Sequence, residues 1–161
     1  MAKKVIVDVD GRRLGLSNLD KVLYPEHGTT KGEVIDYYTR IAPVLLPHLA
    51  DRPLTRKRWP DGVAAGSFFE KNAPRGTPDW VRTVALPSPG STRGTETVTY
   101  VVCDELPTLV WLANLAVLEM HGERAKVGVL AGEHHLLHRG VLGLDLHRLD
   151  GVGQPPRELR H

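Results

Sequence analysis

Three successive cations, Arg56, Lys57 and Arg58, are bracketed by residues with good sheet propensity, and Phe68-Phe69-Glu70-Lys71 follows a few positions later. Pro60-Asp61-Gly62 lies between the two runs; Pro presets one backbone angle and Gly permits a positive one, so the stretch predicts a hairpin. Side chains alternate across a strand, which puts Arg56 and Arg58 on one face and Lys57 on the other, with Phe69 and Lys71 sharing a face of the return strand. A flat apolar ring beside an ammonium group suits a nucleotide: the ring stacks on a base and the cation meets a phosphate. The same residues fit a second arrangement, with Phe68, Phe69 and Trp59 in the core and the cations forming a solvated edge that discourages strand pairing.

Two further lysines have an anion-binding context. Ser17 to Lys21 reads as a capped single turn, and Thr30 followed three residues later by Glu33 fits a capping box that makes Lys31 the first helical residue. A helix start carries free amide donors and partial positive charge, so a lysine there strengthens an anion site. The segment lacks the spaced glycines and preceding strand of a phosphate-binding loop. A lysine beside a cap is also, in many proteins, simply solvated.

The elements that must position these groups follow from periodicity. Val5 to Val9 and Arg12 to Leu16 predict a hairpin about Asp10-Gly11. The helix from Lys31 carries Val34, Tyr38, Ile41 and Leu45 on one stripe with Ile35, Ala42, Leu46 and Leu49 alongside. Pro43 and Pro47 predict a kink or a restart within it. Val81 to Leu86 and Thr95 to Val102 read as strands around a Pro, Ser and Gly loop. Asp104 is expected to cap a helix from Leu106 to Met120 that is apolar nearly all round and therefore buried, leaving His121 at its carboxyl end, where the dipole favours a cation.

The 161 residues suffice for one domain with a real core. A net charge of only +2 excludes a histone-like polycation, so any nucleic-acid role must come from local patches. The single cysteine, Cys103, lies in an apolar run, has no internal partner, and favours a reducing compartment. No run approaches the roughly 20 apolar residues of a membrane span, and the amino terminus lacks an apolar signal core. The cytoplasm is the expected location, with no membrane association.

With these motifs in order, the chain resembles the polymerase domain of bacterial DNA ligase D, in the archaeo-eukaryotic primase superfamily. The residues that carry the resemblance are LSNLDKVLYPEHGTTKGEVIDYY from Leu16 to Tyr38, RPLTRKRWPDG from Arg52, FFEKN from Phe68, TPDW from Thr77 and LPTLVWLANLAVLEMH from Leu106 to His121. The resemblance implies an α+β fold, mainly antiparallel sheet with packed helices. It implies a template-directed nucleotidyltransferase of non-homologous end joining that prefers ribonucleotides and uses Mn or Mg. By resemblance, Lys21 and Lys31 grip the 5′-phosphate of the downstream strand, Lys57, Phe68, Phe69 and Lys71 surround template and incoming nucleotide, and His121 is an active-site histidine near the nucleotide phosphates. The implied partners are DNA ends with a 5′-phosphate, nucleoside triphosphates, and end-joining proteins such as Ku or a ligase; nucleoid association accompanies DNA binding.

The sequence departs from the family after His121. A strand with Asp-x-Asp and a later third aspartate are expected there, because two divalent ions need hard oxygen ligands to activate a primer hydroxyl and neutralise the leaving pyrophosphate. The nearest echo is Asp145 with His147, and His134, His135 and His138 match no tight zinc spacing. The expectation is therefore an N-terminal part of the domain over residues 1–121 and a divergent tail over 122–161, truncated or frameshifted and incomplete for catalysis. Two alternatives remain: a non-catalytic binder of 5′-phosphorylated ends, and a poorly folding remnant.

Overall fold

A computed structural model of the chain describes residues 4–88, 97–124 and 126–130. Among these, antiparallel sheets pack against two helices, the α+β arrangement expected. Strands β1 (Lys4–Val9) and β2 (Arg12–Ser17) form the first hairpin. Its turn takes positive φ at Asp10 and Gly11, and the Asp8 carboxylate accepts from the Gly11 N–H at 3.0 Å. Ser17 to Lys21 closes as a turn, with Asn18 at φ +54 and the Lys21 N–H donating to the Asn18 carbonyl at 3.0 Å. Short strands β3 (Val22–Tyr24) and β4 (Thr29–Thr30) then pair and deliver the chain into helix α1 (Lys31–Leu49).

The capping box is present in both directions: the Glu33 N–H donates to the Thr30 hydroxyl at 3.3 Å, and the Thr30 N–H donates to the Glu33 carboxylate at 2.7 Å. Val34, Ile35, Tyr38, Ala42, Leu45 and Leu49 form the buried stripe. Of the kink or restart expected at the prolines, the restart does not occur, since α1 runs as one helix through Pro43 and Pro47. The two prolines are four apart on the exposed side, and the carbonyls they leave without a helical donor belong to exposed Thr39 and to Pro43 itself, so water can satisfy both.

Strand β5 (Pro53–Arg58) is the axis of the main sheet. Along one edge its second half pairs with β6 (Phe68–Glu70) and its first two residues with β8 (Thr97–Val102), which in turn pairs with β7 (Thr83–Pro87). Along the other edge lies β9 (Val117–Gly122). Between β8 and β9 runs helix α2 (Leu106–Asn114), buried from Pro107 to Ala113. A four-residue turn of helix, α3 (Val127–Leu130), follows, and the Val127 N–H donates to the Asp51 carbonyl at 2.9 Å.

Two sequence expectations fail around α2. Its N-cap residue is Glu105 and not Asp104, whose carboxylate instead accepts from the Asp51 N–H at 2.5 Å and pairs with Arg82 at 2.7 Å. The helix also ends at Asn114, and Val117 to Gly122 is strand. Ala116 adopts φ +57, which no α-helix can contain, and the residues beyond it find hydrogen bonds along β5. The core joins Leu14, Leu16 and Leu23, the α1 stripe, α2, Leu54, Val101, Val117, Leu118 and Met120.

Candidate nucleic-acid interface

Three strands bring one row of side chains together. In register, Lys57 lies opposite Phe69 on β6 and opposite Glu119 on β9, and Thr55 lies opposite His121. Alternation therefore puts Thr55, Lys57, Phe69, Glu119 and His121 on one face, and Leu54, Arg56, Glu70 and Met120 on the other, which is buried at Leu54, Arg56 and Met120. The Lys57 ammonium sits 5.3 Å from the Phe69 ring centroid and 4.8 Å from that of Trp59. Phe69 and His121 rings are 5.6 Å apart and tilted by 60°. Glu119 is the hub: one carboxylate oxygen is 3.4 Å from the Lys57 ammonium, and the other takes a short hydrogen bond from His121 Nε2.

Three of the residues marked in the sequence, Lys57, Phe69 and His121, thus form one cluster. His121 reaches it from a strand and not from a helix end, so the dipole argument for its position is replaced by a register argument. Phe69 is 60% exposed and Phe68 45%, which removes the reading of both as core; Trp59, at 9%, is core. Phe68 faces the other way and stacks under Arg58, 5.3 Å from guanidinium to centroid. Lys71 lies one residue beyond β6 and forms no ion pair among the described residues.

The cations of the opposite face are not a solvated edge. Arg56 is fully buried; it donates to the Glu70 and Asn72 carbonyls and pairs with the Glu70 carboxylate at 3.5 Å, while Nη1 has no partner among the described residues. Burial without full compensation pushes its pKa down to about 10. Arg58 donates to the Leu115 carbonyl at 2.9 Å and pairs with Glu70 at 3.3 Å. Both arginines staple β6 to its neighbours.

The second group of cations is built by the turn before α1. The Lys31 N–H donates to the Lys21 carbonyl at 2.8 Å and the Gly32 N–H to the Leu19 carbonyl at 2.8 Å, which fixes the two lysines side by side. Lys31 is buried, and its ammonium donates to the carbonyl of Asn114, the last residue of α2, at 2.9 Å. It therefore also neutralises the negative end of that helix. Burial first, and the charge of Lys21 second, hold its pKa below the usual lysine value. The Lys21 ammonium lies 2.6 Å from the Asp61 carboxylate.

Sequence reasoning missed Glu119, Asn114 and Asp61. The first two were hidden inside the expected long helix. The signal for Glu119 is the alternation Leu118-Glu119-Met120-His121, a period of two within an apolar run. Among the described residues no three His, Cys, Asp or Glu side chains gather as metal ligands. Asp145, His147, His134, His135 and His138 lie outside the described residues. No helix among the described residues is long and apolar enough to cross a membrane.

The family described as LigD, primase-polymerase domain, matches residues 30–147. The chain is 48% identical over 109 residues to the multifunctional non-homologous end joining protein LigD of Mycolicibacterium smegmatis, covering 68% of this chain and 14% of that protein. It is 35% identical over 109 residues to the bifunctional non-homologous end joining protein LigD of Bacillus subtilis, covering 68% of this chain and 16% of that protein. The polymerase domain from Mycobacterium tuberculosis ligase D, solved in complex with DNA, superimposes with a TM-score of 0.65 at 39% identity, over 80% of this chain and 42% of that one. The chain thus spans a small part of the full-length relatives and less than half of the solved polymerase domain. On its fold and on these matches, the chain belongs to the LigD primase-polymerase domain family.

Proposed function

We propose that this chain is the end-recognising part of a LigD-type repair polymerase domain: it binds DNA ends that carry a 5′-phosphate through Lys21 and Lys31, and it presents a nucleotide and template surface made by Lys57, Phe68, Phe69, Lys71 and His121. The observation that carries this reading is the backbone bond from Lys31 to Lys21, which fixes two cations as neighbours at the start of a capped helix. Phe69, exposed beside Lys57, has the ring to stack on a base while the ammonium meets a phosphate. His121 stands on the same face, its Nε2 held by Glu119, and its imidazolium form carries a second N–H that could donate to a phosphate oxygen.

Template-directed addition of nucleoside triphosphates, the Mn or Mg it needs, and contact with Ku or a ligase are the family's expected business. The metal, when bound, would activate a primer hydroxyl and neutralise pyrophosphate. The described residues do not fit that group, since they gather no ligand set. Residues 1–121 are the part we assign to end and nucleotide recognition, in the cytoplasm and at the nucleoid when on DNA. The purified chain is expected to add no nucleotide to a gapped primer.

The test is fluorescence anisotropy on gapped duplexes with 5′-phosphate or 5′-hydroxyl ends at fixed salt. A clear preference for the phosphate, lost in Lys21→Ala and Lys31→Ala, supports the reading; equal, weak binding to both ends refutes it.

A further inference from the structure

Lys21 is held by a charge, whereas its neighbour is held by a dipole. The Asp61 carboxylate lies 2.6 Å from the Lys21 ammonium, while among the described residues Lys31 meets the neutral Asn114 carbonyl and no carboxylate. Asp61 is brought there by an ordered turn. It belongs to the turn after β5, in which the Gly62 N–H donates to the Trp59 carbonyl at 3.1 Å and the Val63 N–H donates to the Leu23 carbonyl at 2.8 Å. Gly62 adopts φ +89, and a Cβ there would stand 3.0 Å from the Leu23 carbonyl oxygen, so the turn lies flush on the strand that follows Lys21. The backbone thereby delivers a carboxylate to the lysine.

We propose that Asp61 is a specificity-determining residue of the phosphate site: its carboxylate occupies Lys21 until a terminal phosphate displaces it, and it thereby sets how strongly the chain distinguishes a 5′-phosphate from a 5′-hydroxyl. The inference rests on the reading of Lys21 and Lys31 as that site. A terminal phosphate brings up to two charges and three acceptor oxygens to the ammonium and outcompetes one carboxylate, but it meets like-charge repulsion from Asp61 while it does so. A hydroxyl end offers Lys21 no anion at that position. Asp61 thus weakens binding of phosphorylated ends more than of hydroxyl ends. The Asp61 side chain is 75% exposed, so the competition is screened by salt and modest in size.

The experiment measures, on the full chain, the ratio of dissociation constants for gapped duplexes with 5′-hydroxyl and 5′-phosphate ends, at low and high salt. The variants are Asp61→Asn, Asp61→Ser, and each combined with Lys21→Ala, with thermal melts as the check on folding. Removal of the carboxylate is expected to raise the ratio roughly twofold to fivefold at low salt, an effect that shrinks at high salt and vanishes when Lys21 is absent. A wild-type chain that discriminates while both Asp61 variants leave the ratio unchanged or lower overturns the inference and leaves the phosphate site standing. A gain that persists without Lys21 is a general charge effect and also overturns it. If neither the wild type nor the variants discriminate, the phosphate-site reading falls and takes this inference with it.

Discussion

Lys57 on β5 lies directly opposite Phe69 on β6, its ammonium 5.3 Å from the centre of a ring that is 60% exposed. A ring so exposed contributes little to the core, so Phe69→Ala is expected to change unfolding free energy by under about 1 kcal/mol. Its affinity for single-stranded template should nevertheless fall about fivefold to a hundredfold, the worth of one base stack. Denaturant melts and anisotropy on the same preparation separate the two effects.

Arg56 predicts the reverse pattern. It is fully buried, and its removal leaves the Glu70 carboxylate with Arg58 alone and the Asn72 carbonyl without this donor. Arg56→Ala is expected to destabilise the chain by about 3–5 kcal/mol, the usual cost of breaking a buried ion pair. Urea midpoints report it. Arg56→Lys recovers only part, because one ammonium cannot span the three acceptors that the guanidinium fork reaches.

Tyr38 is buried in α1 and donates its hydroxyl to the carbonyl of Val117 at 3.1 Å, which ties the helix to the first residue of β9. Burial drives its pKa upward, which favours the protonated phenol that acts as donor. Tyr38→Phe is expected to cost about 1–2 kcal/mol, since the Val117 carbonyl is then left buried without that donor. Hydrogen exchange should show the loss concentrated in β9.

Binding of phosphorylated ends should depend on alkaline pH through Lys31. Its depressed pKa means that it loses charge below the ordinary lysine range, so phosphate preference should decline as pH rises through the interval between the depressed value and the usual one. The loss is not unfolding of this group's making: in that interval the unfolded chain binds more protons than the folded one, so the Lys31 contribution to stability grows with pH. Lys31→Arg, which keeps its charge, should flatten the profile. Anisotropy across the pH series, with a thermal melt at each point, checks this.

Cys103 is buried between β8 and α2, and burial with the charges of Asp104 and Glu105 pushes its thiol pKa up. The native chain is expected to resist alkylation at neutral pH, and to react at the rate of a free thiol once unfolded in urea. Mass spectrometry after timed iodoacetamide exposure measures both.

Much of this arrangement could be read from residue order alone. The β5–β6 hairpin followed from Pro60-Asp61-Gly62 and alternation, and the cap on α1 from Thr30 and Glu33, because both signals are local. The end of α2 was not legible. The run from Leu106 to Met120 is apolar without a Gly, Pro or Asn after Asn114, and the break is made by Ala116 in a left-handed conformation that its side chain does not advertise. Tertiary pairing with β5 decides the matter there, not propensity. The burial of Arg56 was equally hidden, because a cation flanked by cations reads as surface until Glu70 is placed across from it.

That single left-handed residue also fixes a parity. Ala116 is the joint between α2 and β9, and the strand beyond it presents Glu119 and His121 to Lys57 while Leu118 and Met120 go inward. A strand has only two sides, so one residue added or removed between Asn114 and Val117 would exchange them as a set. Methionine and leucine would then stand beside Phe69, and a carboxylate and an imidazole would be driven into the apolar interior. The length of a two-residue connection, more than the identity of any one group in the cluster, decides which chemistry this surface displays.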